Sequence, residues 1–339
     1  MYNLKKNFPI IHKDQKISVA IDKITKSKIK ILFVVDKTNK LLGSISSGDL
    51  RRSIRKKIDL NESIEKIMFK KPKYFKNKGK GNDLSSLKNL ICIPVVNKKK
   101  KIIDFEFNKI LAQNKKNTVF LMAGGKGSRL LPLTKKTPKP LLKIKGVPII
   151  EKIILNFVNQ GFKNFTISVN YLGHKIIKYL GNGKRFKVNI NYINEKKYLG
   201  TAGSLSLIDS KKTVFPLIVT NSDLISEIDY NNLVNYHDTK KADITICGKN
   251  KIFEMPYGEI LQNYEKVKAI KEKPKICHLV NTGVYVINKN ILKNIIRNKK
   301  LMMNEYITQQ LKKNKKVFCY PIYENWIDIG NKIDFKNNK

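Results

Sequence analysis

A glycine-rich turn near the middle of the chain has the composition of a phosphate-binding loop. The apolar run Val119–Met122 before it predicts a buried strand, and a turn leaving such a strand can surround phosphate oxygens with backbone N–H groups. The spacing is not that of the P-loop, which ends in Gly-Lys followed by Ser or Thr. It is not the dinucleotide-binding motif either, because Leu130 stands at the third glycine position. The candidate nucleotide-binding residues of this turn are Ala123, Gly124, Gly125, Gly127 and Ser128.

Two basic side chains after the turn could stabilise phosphate charge. Arg129 comes directly after the glycine-rich residues, and a guanidinium can bind two phosphate oxygens with its planar fork. Lys139 lies between Pro138 and Pro140, and the prolines restrict the backbone that presents its ammonium. Any one of the 63 lysines would ordinarily be a solvated surface residue, but this setting favours a functional role for Lys139.

These residues belong to one string, GGKGSRLLPLTKKTPKPLLKIKGVPI, at positions 124–149. The string resembles the signature of the sugar-1-phosphate nucleotidylyltransferases, and the resemblance extends over residues 118–335. Members of that family join a nucleoside triphosphate (NTP) to a sugar 1-phosphate and release pyrophosphate, so the resemblance implies both substrates. It assigns Arg129 to the β- and γ-phosphates and Lys139 to the phosphates near the reacting α-phosphorus. Positioning and cationic stabilisation supply most of the catalysis in phosphoryl transfer.

Two aspartates could supply the hard oxygen ligands that Mg²⁺ prefers. Asp223 follows the apolar segment 215–220, at the C-terminal end of a predicted strand, and Asp328 lies in the segment WIDIG. An aspartate at a strand end is often only a turn former. Both residues, however, match the metal ligands of the resembled family, which implies Mg²⁺ as cofactor. Ser222 stands where that family commonly has glycine.

A second segment is a candidate for binding the base. The sequence LGTAG at residues 199–203 permits close backbone approach, and the resemblance implies that Gly200 and Thr201 contact the base. Glu195 occupies the position of a base-reading side chain in the family. A carboxylate accepts from two donors, and guanine offers two donors on one edge whereas uracil offers one. This favours GTP, and the alternative is that Glu195 is a solvated loop residue.

The resemblance implies a third group of residues, which would hold the sugar phosphate. Lys273 would meet the phosphate, and Glu272 and Asn281 would bind hydroxyls or an amino group. In a regular strand Glu272 and Lys273 would point to opposite faces, so a bend is required before Pro274. The full group is Tyr257, Gly258, Glu272, Lys273 and Asn281.

Short apolar runs alternate with helical patterns beyond residue 117 and must position these side chains. Strands alternating with helices predict an α/β domain with a mainly parallel sheet, and ligands bind such sheets beyond the strand C-termini. The resemblance makes this a Rossmann-like nucleotidyltransferase domain. Predicted helices include Ile149–Gln160 and Ile228–His237. The predicted strands are Val119–Met122, Phe165–Val169, Val188–Ile193, Phe215–Val219, Ile244–Cys247, Val284–Ile287 and Val317–Tyr320.

The first 111 residues contain a repeat with an offset of 61. VVDKTNKLLG at residues 34–43 aligns without gaps on VVNKKKKIID at residues 95–104. Each copy predicts a strand, a polar turn and a second strand, preceded by a helix at Val19–Ser27 or Leu84–Leu90. The repeat resembles a tandem pair of CBS modules, which are βαββα units, with a degenerate second copy. The predicted modules span residues 1–58 and 59–111, followed by a linker at 112–117 and the nucleotidyltransferase domain at 118–339.

In the CBS family a hydroxyl and an acid at a helix start can bind an adenine nucleotide, and Ser47 and Asp49 match those positions. Asn108 and Ile110 replace them in the second copy. The interpretation favoured by the residues is that the polar cluster only caps a helix. Paired CBS modules commonly associate with a second pair, so the resemblance implies a homodimer.

The net charge of +43 suggests nucleic acid at first. The basic residues, however, include only six arginines, and the charge is divided as +20 before residue 118 and +23 after it. Nucleic-acid recognition prefers arginine forks and stacking aromatics on one face. We therefore expect no specific nucleic-acid partner, although the charge would attract small anionic substrates.

The remaining composition favours a cytoplasmic enzyme. No apolar run reaches the roughly 18 residues of a membrane span, and the N-terminus lacks the long apolar stretch of a signal peptide. The four cysteines form no C-x-x-C pair, which favours reduced thiols over a zinc site or disulfides.

The combination of both modules resembles CBS-containing guanylyltransferases that activate glucosamine 1-phosphate for legionaminic acid synthesis. We therefore expect transfer of GMP from GTP to glucosamine 1-phosphate. The alternatives are a UTP-dependent hexose-1-phosphate uridylyltransferase and a nucleotide-sensing CBS protein with a weakly active transferase domain.

Overall fold

The computed structural model of the protein describes residues 8–27, 29–76, 92–107 and 115–338. The chain divides into two compact units, residues 1–113 and 114–339. The predicted helix 84–90 and the positions Asn108 and Ile110 lie outside the described residues.

The strands of both units are numbered in chain order. They are β1 (Ile10–His12), β2 (Ile31–Val35), β3 (Leu41–Ser46), β4 (Cys92–Val96), β5 (Ile102–Phe107), β6 (Lys115–Ala123), β7 (Lys143–Ile144), β8 (Val147–Pro148), β9 (Phe162–Val169), β10 (Asn189–Asn194), β11 (Leu217–Asn221), β12 (Leu224–Ser226), β13 (Ile244–Glu254), β14 (Glu259–Asn263), β15 (Lys266–Lys271), β16 (Lys275–Ile287), β17 (Val317–Ile322) and β18 (Trp326–Asp328).

The α-helices are numbered in the same way, and short 3₁₀ turns lie between them, two of which follow the glycine-rich turn at Ser128–Leu130 and Lys139–Leu141. The helices are α1 (Ile17–Lys26), α2 (Ser47–Arg55), α3 (Ile149–Asn159), α4 (Gly173–Leu180), α5 (Gly200–Gly203), α6 (Tyr230–Thr239), α7 (Lys289–Leu292), α8 (Met303–Lys312) and α9 (Lys332–Asn338). None of the helices in the described ranges is long and apolar enough to cross a membrane.

Two equivalent β-hairpins lie at the centre of the N-terminal unit. β2 pairs with β3 and β4 pairs with β5, and every paired position in the first hairpin has a counterpart 61 residues later, including the bulge. The tips of the hairpins bind each other, because Leu41 N donates to Lys100 O at 2.9 Å and Ile102 N donates to Asn39 O at 3.1 Å. The repeat in the sequence is therefore a local two-fold arrangement of hairpins, and the first copy has the order βαββα.

The second unit is built on a seven-stranded sheet with the order β10-β9-β6-β11-β16-β13-β17. Six strands run parallel to one another, and β16 runs antiparallel to both of its neighbours. Alternating side chains of the buried strands enter separate apolar cores on the two faces. In β6, Val119 and Leu121 pack with α3, α4 and α6, whereas Phe120 packs with α7 and α8. The α/β fold and its mainly parallel sheet are as predicted.

All seven strands predicted for this unit are present, and they are the seven strands of its sheet. Two features differ from the prediction. β6 begins at Lys115, so residues 115–117 belong to a strand and not to a linker. β13 and β16 continue past the sheet as a two-stranded ribbon that ends in the hairpin β14–β15. The ribbon was not predicted because the outer residues of both strands are exposed and lack the apolar run that marked the inner ones.

Candidate active site

The glycine-rich turn lies directly beyond the C-terminal end of β6, near the centre of the sheet. Gly127 has a φ of +64°, in the left-handed region that glycine tolerates best. A Cβ there would also lie only 3.0 Å from the Thr134 side chain and 3.1 Å from Lys139. The buried Thr134 hydroxyl donates to Gly127 O at 2.9 Å. The turn is thus held in place by contacts with Thr134 and Lys139, which follow it in the same motif.

A cavity of about 480 Å³ opens above this turn, within the usual size range of ligand pockets. It is lined by the glycine-rich turn and by the C-terminal ends of β6 and β11, as expected for an α/β sheet. The predicted residues that line it are Ala123, Gly124, Gly125, Gly127, Ser128, Arg129, Lys139, Glu195, Gly200, Thr201 and Asp223.

Lys139 and Asp223 form an ion pair inside the cavity, between Lys139 Nζ and Asp223 Oδ2. The Lys139 side chain is 13% exposed and that of Asp223 is 24% exposed. The second carboxylate oxygen, Asp223 Oδ1, is buried without a hydrogen-bond partner. A buried carboxylate oxygen without a donor is costly, and a bound cation would satisfy it.

Asp328 lies beside Asp223 because their strands pair. β12 begins one residue after Asp223 and runs antiparallel to β18, with Leu224 opposite Asp328, and Ile329 N donates to Asp223 O at 3.3 Å. Partial burial raises the pKa of the Asp328 carboxyl, the Asp223 carboxylate raises it further, and Lys139 and Arg129 oppose both effects. Two acids and two cations therefore act on one another in this small volume.

Ser222, the departure from the resembled family, has a structural role. Its backbone N–H and its hydroxyl both donate to Met122 O, the hydroxyl at 2.7 Å. The serine thereby joins the turn that carries Asp223 to the end of β6. This bond could not be predicted from the local sequence, because Met122 lies 100 residues away.

The donor set at the two acids fits a divalent cation. Within the described part of the chain no cluster of three or more His, Cys, Asp or Glu could hold a metal, so the protein would contribute Asp223 and Asp328 alone. Mg²⁺ is commonly bound by one or two carboxylates together with substrate phosphates and waters. The unsatisfied Asp223 Oδ1 is the atom that most directly fits such an ion.

Arg129 is exposed and its guanidinium makes no hydrogen bond or ion pair among the described residues. It lies in the 3₁₀ turn Ser128–Leu130, which Leu130 anchors in the core. The side chain is therefore available to a phosphate that enters the cavity.

Glu195 is buried, 6% exposed, and is not a solvated loop residue. Ser168 Oγ donates to its Oε1, and Leu199 N donates to its Oε2 at 2.9 Å. A Cβ on Gly124 would lie 2.8 Å from Oε1, so the carboxylate packs directly on the glycine-rich turn. Glu195 thus connects that turn to the LGTAG segment, and each of its oxygens keeps acceptor capacity for a further donor.

Gly200 and Thr201 are fastened to the segment before α8. Leu301 O accepts from Ala202 N at 2.9 Å, and Thr201 Oγ1 accepts from Met303 N at 2.8 Å. This packing brings Met302 into the cavity wall, and Tyr198, 39% exposed, also lines it. Neither residue was predicted. Tyr198 precedes the LGTAG motif directly, whereas Met302 had no signal in the sequence.

None of the five predicted sugar-phosphate residues lines this cavity. Tyr257, Gly258, Glu272 and Lys273 lie around the hairpin β14–β15 at the end of the ribbon. Lys273 has a φ of +44°, so the required bend before Pro274 is present. Asn281 lies at the inner end of the ribbon and bonds to Gly283 N and Tyr285 Oη, both at 2.9 Å. Their role in sugar binding stays a prediction.

In the N-terminal unit Ser47 and Asp49 serve the helix. Asp49 Oδ2 accepts from Ser46 in a capping box, and Asp49 Oδ1 pairs with Arg52. Ser47 is buried at 5% exposure beside Lys30 O. Helix capping accounts for the contacts of Asp49 with Ser46, and Ser47 instead binds Lys30 O ahead of β2. Adenine-nucleotide binding stays a prediction.

Comparison with known proteins agrees with this geometry. Residues 118–338, well over half of the chain, match the family model described as nucleotidyl transferase. The chain belongs to the nucleotidyl transferase family. Residues 3–56 match the CBS domain model, so the nucleotidyl transferase unit follows an N-terminal CBS domain, as predicted, whereas the second module of the predicted pair stays a prediction.

Relatives of this nucleotidyl transferase chain carry related names. The mannose-1-phosphate guanyltransferase of Saccharomyces cerevisiae is 30% identical over 223 residues, 63% of this chain and 62% of the relative. The mannose-1-phosphate guanylyltransferase catalytic subunit beta of Drosophila melanogaster is 29% identical over 226 residues, 63% of this chain and 60% of the relative. The chain thus spans about 60% of the length of these relatives.

Among solved structures, HddC from Yersinia pseudotuberculosis is similar to this chain at 26% identity with a TM-score of 0.51. The match covers 66% of this chain and 97% of HddC.

Proposed function

We propose that the protein transfers a nucleoside monophosphate from an NTP to a sugar 1-phosphate and releases pyrophosphate. The observation that carries this proposal is one cavity in which a glycine-rich turn, Lys139 and Asp223 converge at the C-terminal edge of the sheet, with Asp328 on the strand that pairs beside Asp223. Membership of the nucleotidyl transferase family supports the reaction class.

The reaction depends more on stabilising the negative charge of the phosphates than on acid–base catalysis. A phosphate oxygen of the sugar 1-phosphate forms a bond to the α-phosphorus, and the bond from that phosphorus to the bridging oxygen of pyrophosphate breaks. The attacking oxygen is already anionic, so no general base is required. Arg129 binds the departing phosphates, and the backbone N–H groups of the turn hold the triphosphate in line for attack.

Lys139 has two candidate partners during the reaction. In the free protein its ammonium neutralises Asp223. An entering triphosphate competes for the same ammonium because phosphate oxygens also accept charge-assisted hydrogen bonds. The lysine can therefore serve the α-phosphate while its carboxylate partner becomes available to a cation.

Asp223 and Asp328 would hold Mg²⁺ in this proposal. Bound there, the ion would supply positive charge that neutralises the phosphate oxygens. The protein's own contribution is to keep two carboxylates side by side, although burial first and the neighbouring Asp223 carboxylate second raise the pKa of the Asp328 carboxyl. The unsatisfied Asp223 Oδ1 supports this assignment.

GTP is the nucleotide that the site favours in our proposal. Glu195 lies in the cavity wall beside the LGTAG segment, where its remaining acceptor capacity suits the two donors of guanine. The guanyltransferase names of the yeast and fly relatives support the same base. A UTP-dependent transferase is the alternative, since uracil also offers a donor.

The sugar is a hexose 1-phosphate in this proposal. The relatives are named for mannose 1-phosphate, whereas the resemblance to CBS-containing guanylyltransferases favours glucosamine 1-phosphate. Both sugars carry the same anionic nucleophile, the 1-phosphate, and they differ only in the substituent at carbon 2 of the ring. The nucleotide sugar would then serve surface-glycan or nonulosonate synthesis.

A screen of substrate pairs tests the proposal. Pyrophosphate release is measured with each of four NTPs against glucosamine, mannose and glucose 1-phosphates in the presence of Mg²⁺, with Asp223→Asn as the matched control. The proposal expects release with GTP and one hexose 1-phosphate, and a large loss in the variant. Pyrophosphate release at the same rate with and without a sugar 1-phosphate would contradict the proposal.

A further inference from the structure

The two candidate metal ligands lie on a small ribbon outside the main sheet. Asp223 immediately precedes β12 and Asp328 ends β18, and these strands pair only with each other. Two short strands have little stability of their own. The position of each carboxylate therefore depends on what fastens its strand to the rest of the unit.

Each side of this ribbon has a different anchor. On the Asp223 side, Ser222 binds Met122 O at the end of β6. On the Asp328 side the chain leaves the main sheet after Ile322, the last residue of β17, and passes through Tyr323–Asn325 before β18 begins. Lys249 of β13 pairs directly opposite Ile322, at the point of departure.

The Lys249 ammonium binds this connection. Its Nζ donates to Glu324 O at 2.6 Å and to Tyr323 O at 3.4 Å. The next residue, Asn325, bonds to Glu227 at the far end of β12 through a backbone and a side-chain contact. The lysine therefore fixes the connection at the residues from which β18, and with it Asp328, takes its direction.

The charge of Lys249 is compensated locally. Burial lowers the pKa of the Lys249 amine, and the carboxylate of Glu324, itself 2% exposed, opposes that effect. A partly buried lysine next to a buried glutamate is costly unless both are satisfied. The two carbonyl groups that accept from Nζ help to satisfy the ammonium.

We propose that Lys249 is a positioning residue that sets the Asp328 carboxylate for binding of the divalent cation. This inference rests on the proposed function, because it requires the cation at Asp223 and Asp328. Groups that hydrogen-bond to metal ligands typically change metal affinity by about 10–100-fold when they are removed, and Lys249 acts through the backbone before β18, so we expect an effect at the lower end of that range. A merely structural lysine would lower stability and leave the metal affinity of the folded protein unchanged.

The test measures Mn²⁺ binding to the full-length protein by electron paramagnetic resonance, with α,β-methylene GTP present as an unreactive nucleotide. Lys249→Met keeps the length of the side chain and removes its donors. Lys249→Arg keeps the charge and can still donate to two carbonyls. Lys268→Met removes a lysine from the exposed strand β15 and is the matched control.

We expect Lys249→Met to weaken Mn²⁺ binding about tenfold, with Lys249→Arg restoring most of the affinity and Lys268→Met at the wild-type value. A folded Lys249→Met protein with wild-type Mn²⁺ affinity overturns the inference. If Lys249→Met does not fold, Lys249→Gln is judged by the same criterion, and Glu324→Gln provides a second disturbance of the same anchor with the same expected weakening.

The proposed metal site and the Lys249 anchor can be contradicted separately. If the Asp223→Asn variant binds Mn²⁺ as tightly as the wild type, the proposed metal site is contradicted. If Asp223→Asn loses Mn²⁺ binding but every variant at Lys249 and Glu324 keeps the wild-type affinity, the metal site stands and the role of Lys249 is contradicted.

Discussion

Lys139 and Asp223 form an ion pair within the cavity although 84 residues separate them in the chain. The pair joins the motif proposed to bind triphosphate to the acid proposed to bind a cation. Because Asp223 Oδ1 is unsatisfied while Oδ2 holds the lysine, the free protein has one acid already neutralised and one oxygen still available. This relationship determines several of the expected effects of substitution.

Removing either basic side chain of the site should reduce turnover. Arg129→Ala and Lys139→Ala should each lower kcat by about 10²–10³-fold, because each removes a group aimed at charge that develops during the reaction. Steady-state kinetics on folded protein checks this, with Lys268→Ala as the control for loss of a lysine charge. Wild-type turnover in either variant would contradict a catalytic role for that residue.

Lys139→Met should bind Mn²⁺ more tightly than the wild type in the absence of nucleotide, although its turnover falls. The reason is that the ammonium competes with the metal for Asp223, and its removal leaves a full carboxylate available. Several-fold tighter binding is expected by electron paramagnetic resonance. Unchanged or weaker binding would mean that the lysine and the metal do not share this acid.

Glu195→Gln should erode the preference for GTP over UTP. The amide replaces one acceptor oxygen by an NH₂ donor, which removes an acceptor for guanine and places that donor against either Ser168 Oγ or Leu199 N, which bind different oxygens of Glu195. A stability loss of about 1–3 kcal/mol should accompany the change, because a buried bond is lost. The measurement is the ratio of kcat/KM for the two nucleotides, and a tenfold preference for UTP in the wild type would refute this role of Glu195.

The CBS region should act through association or regulation, since its described residues form helix caps and turns but no set of catalytic groups. We expect the full-length chain to be a homodimer and a truncated chain that starts at Lys115, the first residue of β6, to be a monomer. Sedimentation gives the masses, and steady-state rates with and without AMP or ATP give any coupling. A truncated chain that stays dimeric, with identical rates and no nucleotide response in either form, would leave this region without the expected role.

The sequence predicted the elements better than the contacts between them. A predicted apolar run marks each of the seven strands of the main sheet, and the glycine-rich motif lies directly after one of them, so the position of the turn followed from local pattern. The bonds of Ser222 to Met122 and of Glu195 to Ser168 join residues far apart in the chain, and no spacing rule connects them. Lys249 is one of 63 lysines and becomes distinct only when β17 ends opposite it.

Pyrophosphate release with GTP and Mg²⁺, measured with and without a hexose 1-phosphate for the wild type and for Asp223→Asn, tests directly whether the protein transfers a nucleotide to a sugar 1-phosphate. We predict release that requires the sugar phosphate and the metal together, disappears on treatment with EDTA, and falls by about 10²-fold or more in the variant. Release that proceeds equally without sugar phosphate, or that survives both EDTA and Asp223→Asn, would contradict the account.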